Sequence, residues 1–311
     1  MICTVTLNPA LDRIMILDEI NYGENTRIKQ QEIDVGGKGT HVAAVLSDLG
    51  IETVATGIMG SIGGEKLCEL LEKRRVKCDF IWVESLEVRT SYIIVLLKDK
   101  KHFMITERGS EVNRKDIALL YEKIDKLSKS TDYMVFSGGV GPGFDKNVYR
   151  ELIAISKSNG AKTVLDASGE YLREGAKSTP NFLKINCKEF SELVGHEMTD
   201  ETDIVKNAKN LIEGGVEVVA ITLGKDGSIV LTENEVIKIF LPHIEVVNTV
   251  GCGDIYLAGA LYKMKMGKST EECFTFAAAL SASKALLYRT SEFDPATVKR
   301  LEKSVNISYY H

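Results

Sequence analysis

No basic excess, no paired-cysteine motif and no long apolar run marks this 311-residue chain. The formal net charge is −5, which offers no basic footprint for nucleic acid. The cysteines, Cys3, Cys68, Cys78, Cys187, Cys252 and Cys273, are scattered without a Cys-x-x-Cys pair. The opening residues Met1-Ile-Cys-Thr-Val-Thr-Leu-Asn8 alternate like a strand and lack the basic start of a secretory leader. A cytoplasmic protein with free thiols is expected. Apolar runs such as Ile93–Leu97 are far too short to span a bilayer, so no membrane partner is expected either. The five histidines include no His-x-x-x-His pair, and no structural metal site is indicated. No internal repeat, low-complexity segment or linker is apparent, and 44% apolar with 27% charged residues is an ordinary globular mix.

What is present is an alternation of strands and helices. Residues 1–7 and 52–59 read as strands, with helices at 39–49 and 63–75. Strands follow at 132–137, 163–166, 182–186 and 216–223, with a helix around 146–158. Strands separated by helical patterns predict an α/β fold whose parallel sheet is covered on both faces, with ligands beyond the strands' carboxyl ends. Two stretches, 13–33 and about 89–106, carry β-type runs without a helix. They predict one small antiparallel sheet, either a lid over the cleft or a surface hairpin without function. The last third reads as helical, and the Ala- and Ser-dense Cys273–Tyr288 segment suits close packing in the core.

Four segments carry candidate chemistry. In Val246-Val-Asn-Thr-Val-Gly-Cys-Gly-Asp254 a β-type run meets two glycines and a helical pattern begins. Convergent amides at a helix start make an anion site. An aspartate there is either an ordinary helix cap or a base that takes a proton from a hydroxyl during phosphoryl transfer, and this segment alone fits both. Val35-Gly-Gly-Lys-Gly-Thr-His-Val-Ala43 also leads into a helix. It is not a Walker A loop, because Gly39 follows Lys38 and Glu32 stands at the first glycine position. Gly267-Lys268-Ser269 fails likewise at Tyr262, and Asn8-Pro-Ala after the first strand is no dinucleotide fingerprint. Lys184-Ile-Asn-Cys-Lys-Glu189 follows a strand, so Asn186 and Glu189 fit a hydrated Mg²⁺ or simply a solvated helix start. Thr222-Leu-Gly-Lys-Asp-Gly227 fits a phosphate cradle or a tight turn.

In this order, together with Thr6-Leu-Asn-Pro-Ala-Leu-Asp12, the segments resemble the PfkB family of carbohydrate kinases over nearly the whole chain. The branch they are similar to contains 1-phosphofructokinase and tagatose-6-phosphate kinase. The resemblance implies one ribokinase-like domain over 1–311, a mostly parallel sheet with a β-sheet lid, and a homodimer through that lid. It implies ATP and Mg²⁺ as cofactors and a ketohexose phosphate as substrate, fructose 1-phosphate ahead of tagatose 6-phosphate. Asp254 becomes the base, with the amides of Gly251, Cys252 and Gly253 as the anion hole. Asp12, Gly37, Lys38 and His41 fall on the sugar; Arg27 and Arg89, one from each lid excursion, fall on its phosphate. Ser137 and Gly138 fall on the substrate-side loop, while Lys184, Asn186, Thr222, Gly224, Gly227, Thr249 and Ser283 face ATP. Asn186 and Glu189 act on Mg²⁺ through water.

Several positions depart from the family pattern. His41 replaces an asparagine that contacts sugar hydroxyls, Cys252 an alanine, and Ile255 a small residue beside the base. Ser137-Gly-Gly-Val-Gly-Pro142 and Thr106-Glu-Arg-Gly109 differ from the usual loops. Such changes leave room for a sugar-phosphate-binding regulator with little turnover. An amide-rich helix start also predicts a lowered thiol pKa, and hence redox sensitivity, at Cys252.

Overall fold

The structure, a computed structural model, describes residues 1–310. Strand Ile2–Thr6 lies inside an eleven-stranded sheet, between Thr53–Gly60 and Tyr133–Ser137. Beyond Tyr133–Ser137 follow Lys162–Asp166, Phe182–Asn186 and Val218–Thr222, every pair parallel. These strands are buried on both faces and read as nearly continuous apolar runs, as a doubly covered parallel sheet requires. The far edge departs from the helical reading of the last third. Ser228–Thr232, Val236–Phe240 and the C-terminal Asn306–Tyr309 add antiparallel strands there. Val246–Val250, read as β-type, forms no strand, and the amides of Val247 and Asn248 donate instead to the Ala285 carbonyl.

Helices cover both faces. One layer holds Arg114–Ser128, Val148–Ser158, Gly169–Ala176, Cys187–Val194 and Glu201–Glu213, packed over a core that includes Phe136, Tyr149 and Phe190. The opposite layer holds Lys38–Asp48, Cys252–Lys265, Thr270–Ala285 and Pro295–Glu302. Cys252–Lys265 and Thr270–Ala285 are apolar nearly all round, as befits helices buried on more than one side.

The two β-type excursions form a separate four-stranded sheet, ordered Gln30–Gly36, Ala10–Leu17, Arg89–Leu96 and Lys101–Thr106. It is not wholly antiparallel as expected. Each excursion is a hairpin whose first strand runs outward from the body, and these two first strands lie side by side, so the central pair is parallel. The first excursion begins before Arg13 and ends after Ile33, which brings Asp12 into the sheet.

Candidate active site

The chain passes from Asn248 into helix Cys252–Lys265 through Gly251, the helix N-cap, whose φ of 87° is left-handed. A Cβ at Gly251 would lie 2.0 Å from the Thr290 carbonyl oxygen, so only glycine fits this turn. The Cys252 amide donates to the Thr249 carbonyl, and the Asp254 amide to that of Gly251. The Gly251 and Gly253 amides have no partner among the described residues. Two free N–H groups, rather than the expected three, therefore face the cavity at the positive end of a helix. The Cys252 thiol points away, toward the carbonyls of Asn248 and Ser281, and burial pushes its pKa up. The expected activation of this thiol is not seen, because its sulfur is desolvated rather than set against the helix start.

Asp254 stands in the helix's first turn without capping it, since the N-cap is Gly251. Its Oδ2 meets His41 Nδ1 at 2.7 Å. His41 Nε2 lies 3.0 Å from Asp12 Oδ2 and 2.9 Å from the Val35 carbonyl oxygen. All three side chains are buried. Burial by itself lowers the imidazole pKa, but the hydrogen bonds and charges of Asp12 and Asp254 overcome it and raise it to about 10.

A second cluster, buried except for the half-buried Lys38, inverts that composition. Asp166, fully buried at the end of its strand, accepts from Lys38 Nζ at 2.9 Å and from Lys184 Nζ at 3.1 Å. Burial opposes its charge, and the two ammonium groups more than offset this, holding its carboxyl below the usual range. Lys38 is raised for the complementary reason: burial opposes its charge, and Asp166, Glu189 and Asp254 outweigh it. A Cβ on Gly253 would stand 2.6 Å from Lys184 Nζ, so that glycine lets the ammonium approach the helix start.

A cavity of about 350 Å³ joins the two clusters. Asp12, Gly37, Lys38, His41, Arg89, Lys184, Asn186, Thr222, Gly251, Gly253 and Asp254 all line it. Arg89 Nε donates to the Asn8 carbonyl, which fixes the guanidinium at the root of the small sheet. An adjoining hollow of about 470 Å³ shares Asn186 and Thr222 and adds Gly224. Asn186 caps helix Cys187–Val194 in a reciprocal capping box with Glu189. Asn186 thus sits at a helix start, as one of the two readings of that pair had it, and Glu189 Oε1, 3.7 Å from Lys38 Nζ, stays outside the box. Gly224–Asp226 is a 3₁₀ turn, with Gly227 closing it behind.

Other residues fall elsewhere. Arg27 is exposed on the connection between Ala10–Leu17 and Gln30–Gly36. Ala10 pairs with Gly36 at the root of that hairpin and Ile16 with Gln30 at its tip, so Arg27 lies at the end far from Arg89. The Ser283 hydroxyl is buried and exchanges hydrogen bonds with the Asp294 backbone, which turns its proton away from any adenine. Ser137 is fully buried, its hydroxyl without a partner among the described residues, and Gly138 packs against the Lys38 stem with its amide on the Asp166 carbonyl. Thr249 is exposed, with its hydroxyl 2.8 Å from His102 Nε2 of the small sheet.

Residues 5–296 match the profile described as pfkB family carbohydrate kinase. The chain belongs to this family. A 1-phosphofructokinase of Borreliella burgdorferi is 31% identical over 294 residues, 94% of each chain. A tagatose-6-phosphate kinase of Staphylococcus epidermidis is 29% identical over 310 residues, 99% of each. The crystal structure of a possible 1-phosphofructokinase from Thermotoga maritima is similar over 100% of both chains, with 26% identity and a TM-score of 0.92.

In this pfkB-family kinase three further residues, Asp166, Lys284 and His102, stand at the site with almost no trace in the sequence pattern. Asp166 read only as the end of a strand. Lys284 lies inside the Ala-rich helix, fully buried, with its ammonium 2.7 Å from the Asn248 carbonyl oxygen behind the Gly251 turn. Burial pulls Lys284 down to about 8, against the opposing pull of Cys252, Asp34, Asp254 and Asp12. His102 ties the small sheet to Thr249. A lysine in an otherwise apolar helix was the one available signal.

Proposed function

We propose that the chain transfers the γ-phosphoryl group of ATP to the terminal hydroxyl of a ketohexose phosphate, with fructose 1-phosphate giving fructose 1,6-bisphosphate. The observation that carries this reading is the polarised cavity, with Arg89 at the root of the small sheet, Asp254 held by His41, and Lys184 beside the helix start. In fructose 1-phosphate the acceptor hydroxyl and the phosphate sit at opposite ends of the carbon chain. A cation at one end and a base at the other suits that spacing. The hydroxyl oxygen attacks the γ-phosphorus, the bond to the β-phosphate oxygen breaks, ADP leaves, and Asp254 takes the proton. The Gly251 and Gly253 amides and Lys184 meet the charge on the transferred group. Asp12, Gly37 and Lys38 hold the sugar, while Thr222 and Gly224 face the nucleotide.

The donor set suits a largely hydrated Mg²⁺. Among the described residues no group of three or more His, Cys, Asp or Glu side chains is arranged to hold a metal directly. Asn186 Oδ1 is engaged in its capping box, so Glu189 Oε1 is the oxygen that would hold the ion through water. When bound, the ion would neutralise phosphate charge. The small sheet serves as a lid that excludes water. Exposed Ile33, Phe103 and Ile105 on its strands favour pairing of two lids in a homodimer. Among the described residues no helix is long and apolar enough to cross a membrane. All six cysteines are free, which favours a reducing compartment such as the cytoplasm.

A panel of fructose 1-phosphate, tagatose 6-phosphate, fructose 6-phosphate and fructose in a coupled ADP-release assay tests the substrate. Fructose 1-phosphate should give the highest kcat/KM. The likeness to a tagatose-6-phosphate kinase favours a second reading, and a higher kcat/KM with tagatose 6-phosphate would replace the first. Tight binding without turnover would instead mark a regulator.

A further inference from the structure

His41 lies in the first turns of helix Lys38–Asp48 and touches three other elements. Asp254 belongs to the catalytic helix, Asp12 to the strand that enters the small sheet, and Val35 to the strand that leaves it. The Val35 carbonyl can only accept, so Nε2 carries a proton. Nδ1, 2.7 Å from Asp254 Oδ2, meets a second acceptor, and an imidazole that donates on both sides is an imidazolium. Two carboxylates thus share one buried cation. Around them stand Asp34, whose carboxylate accepts the Val35 amide, Lys284 behind the anion-hole turn, Lys38 toward Asp166, and Arg89 beside Asp12. Cys252 faces away.

This leaves each carboxylate one oxygen. Asp254 Oδ2 is held by the ring, so Oδ1 is the atom available to a hydroxyl in the cavity. We propose that His41 is the positioning residue of the site: it fixes the rotation of the Asp254 carboxylate and ties it, through Asp12, to the root of the small sheet. The base is then aligned when the sheet stands where Asp12 reaches the ring. A displaced sheet breaks the link at Asp12 first. This rests on the assignment of Asp254 as base in the proposed reaction.

The test compares His41→Asn, which keeps one N–H donor, with His41→Ala and Asp254→Asn, using the sugar phosphate that the panel selects. His41→Ala should lower kcat by about 10- to 100-fold, with the sugar-phosphate KM moving about threefold or less. His41→Asn should recover most of that kcat. The acid limb of its kcat–pH profile should move to higher pH, because a cation beside the base is gone. In the Asp254→Asn background, His41→Ala should cost little further, since a positioning residue acts through its base. If Asp254→Asn loses no activity, the base assignment itself fails. If Asp254→Asn loses activity while His41→Ala keeps wild-type kcat, only the role of His41 is overturned. Should His41→Ala not fold, the pH profile of His41→Asn decides alone, and an unmoved acid limb overturns the proposal.

Discussion

Two buried ionic clusters meet at the start of helix Cys252–Lys265, and each is the other with its signs exchanged. In one, a single cation, His41, sits between the carboxylates of Asp12 and Asp254. In the other, the single carboxylate of Asp166 sits between the ammonium groups of Lys38 and Lys184. Each central group neutralises one neighbour and leaves a surplus of the opposite sign facing the cavity. The first cluster therefore offers an oxygen that can receive a proton, and the second offers N–H donors that can receive an anion. The polarity of the site comes from which group is in the minority, and both minorities are completely withdrawn from water.

The comparison breaks most sharply at Asp254. Asp254→Asn should lower kcat by about 10²–10⁴-fold, about 3–5 kcal/mol of barrier, in the ADP-release assay. Wild-type turnover would show that the negative surplus has no chemical use. Asp166→Asn attacks the other minority, leaving two cations without their shared counter-charge. It should lower stability by about 3–5 kcal/mol in urea titrations, a cost that a surface ion pair would not show.

A third measurement compares the clusters by pH. The folded protein holds the His41 proton up to about pH 10, whereas the ordinary imidazole value is 6.5. Its stabilisation is complete below that lower value and is lost as pH rises toward the upper one. Lys284, pulled down to about 8 from 10.5, acts in the opposite sense: its buried charge is costly below that range and the cost is relieved above it. The wild-type urea midpoint should therefore fall mainly between pH 6.5 and 8, and His41→Asn should flatten that fall. Arg89→Ala should mainly raise the sugar-phosphate KM, by about tenfold or more, with kcat less affected. The smallest effect concerns Cys252, where iodoacetamide at neutral pH should leave the thiol unlabelled in peptide mass spectra, because burial raises its pKa.

Much of this was readable in the residues. The parallel sheet followed from apolar runs separated by helical patterns, because burial on both faces writes itself into a strand. Asp254 and Lys38 stand in glycine turns, which mark where backbone approaches a ligand, whereas Lys184 and Arg89 entered only through the family resemblance; all four line one cavity. The misses share a physical cause. Arg27 and Ser283 depend on where a connection projects and which backbone a hydroxyl finds, and neither leaves a periodic trace. Asp166 and Lys284 act through charges brought together across more than a hundred residues for Lys38 and Asp166, a separation no local pattern encodes. The turn Thr222–Gly227 reads as a joint between two strands and is one, whereas Val236–Phe240 and Asn306–Tyr309 lie in a stretch whose helical pattern masks them. Hydrogen bonding assigns the caps in two places that the residues leave open: Asp254 is not a cap, and Asn186 is one.

The contact between Gly251 and Thr290 has a consequence for how this protein can drift in evolution. Backbone meets backbone there, so nothing larger than hydrogen is admitted at Gly251 while the Thr290 carbonyl keeps its place. The Thr290 hydroxyl is in turn fastened near Asp34 and Val35. A lengthened or shortened loop around Thr290 would thus reset the catalytic turn without altering any residue in it. Insertions should be tolerated at the exposed tips of the small sheet and selected against here, in a segment that lines no part of the cavity.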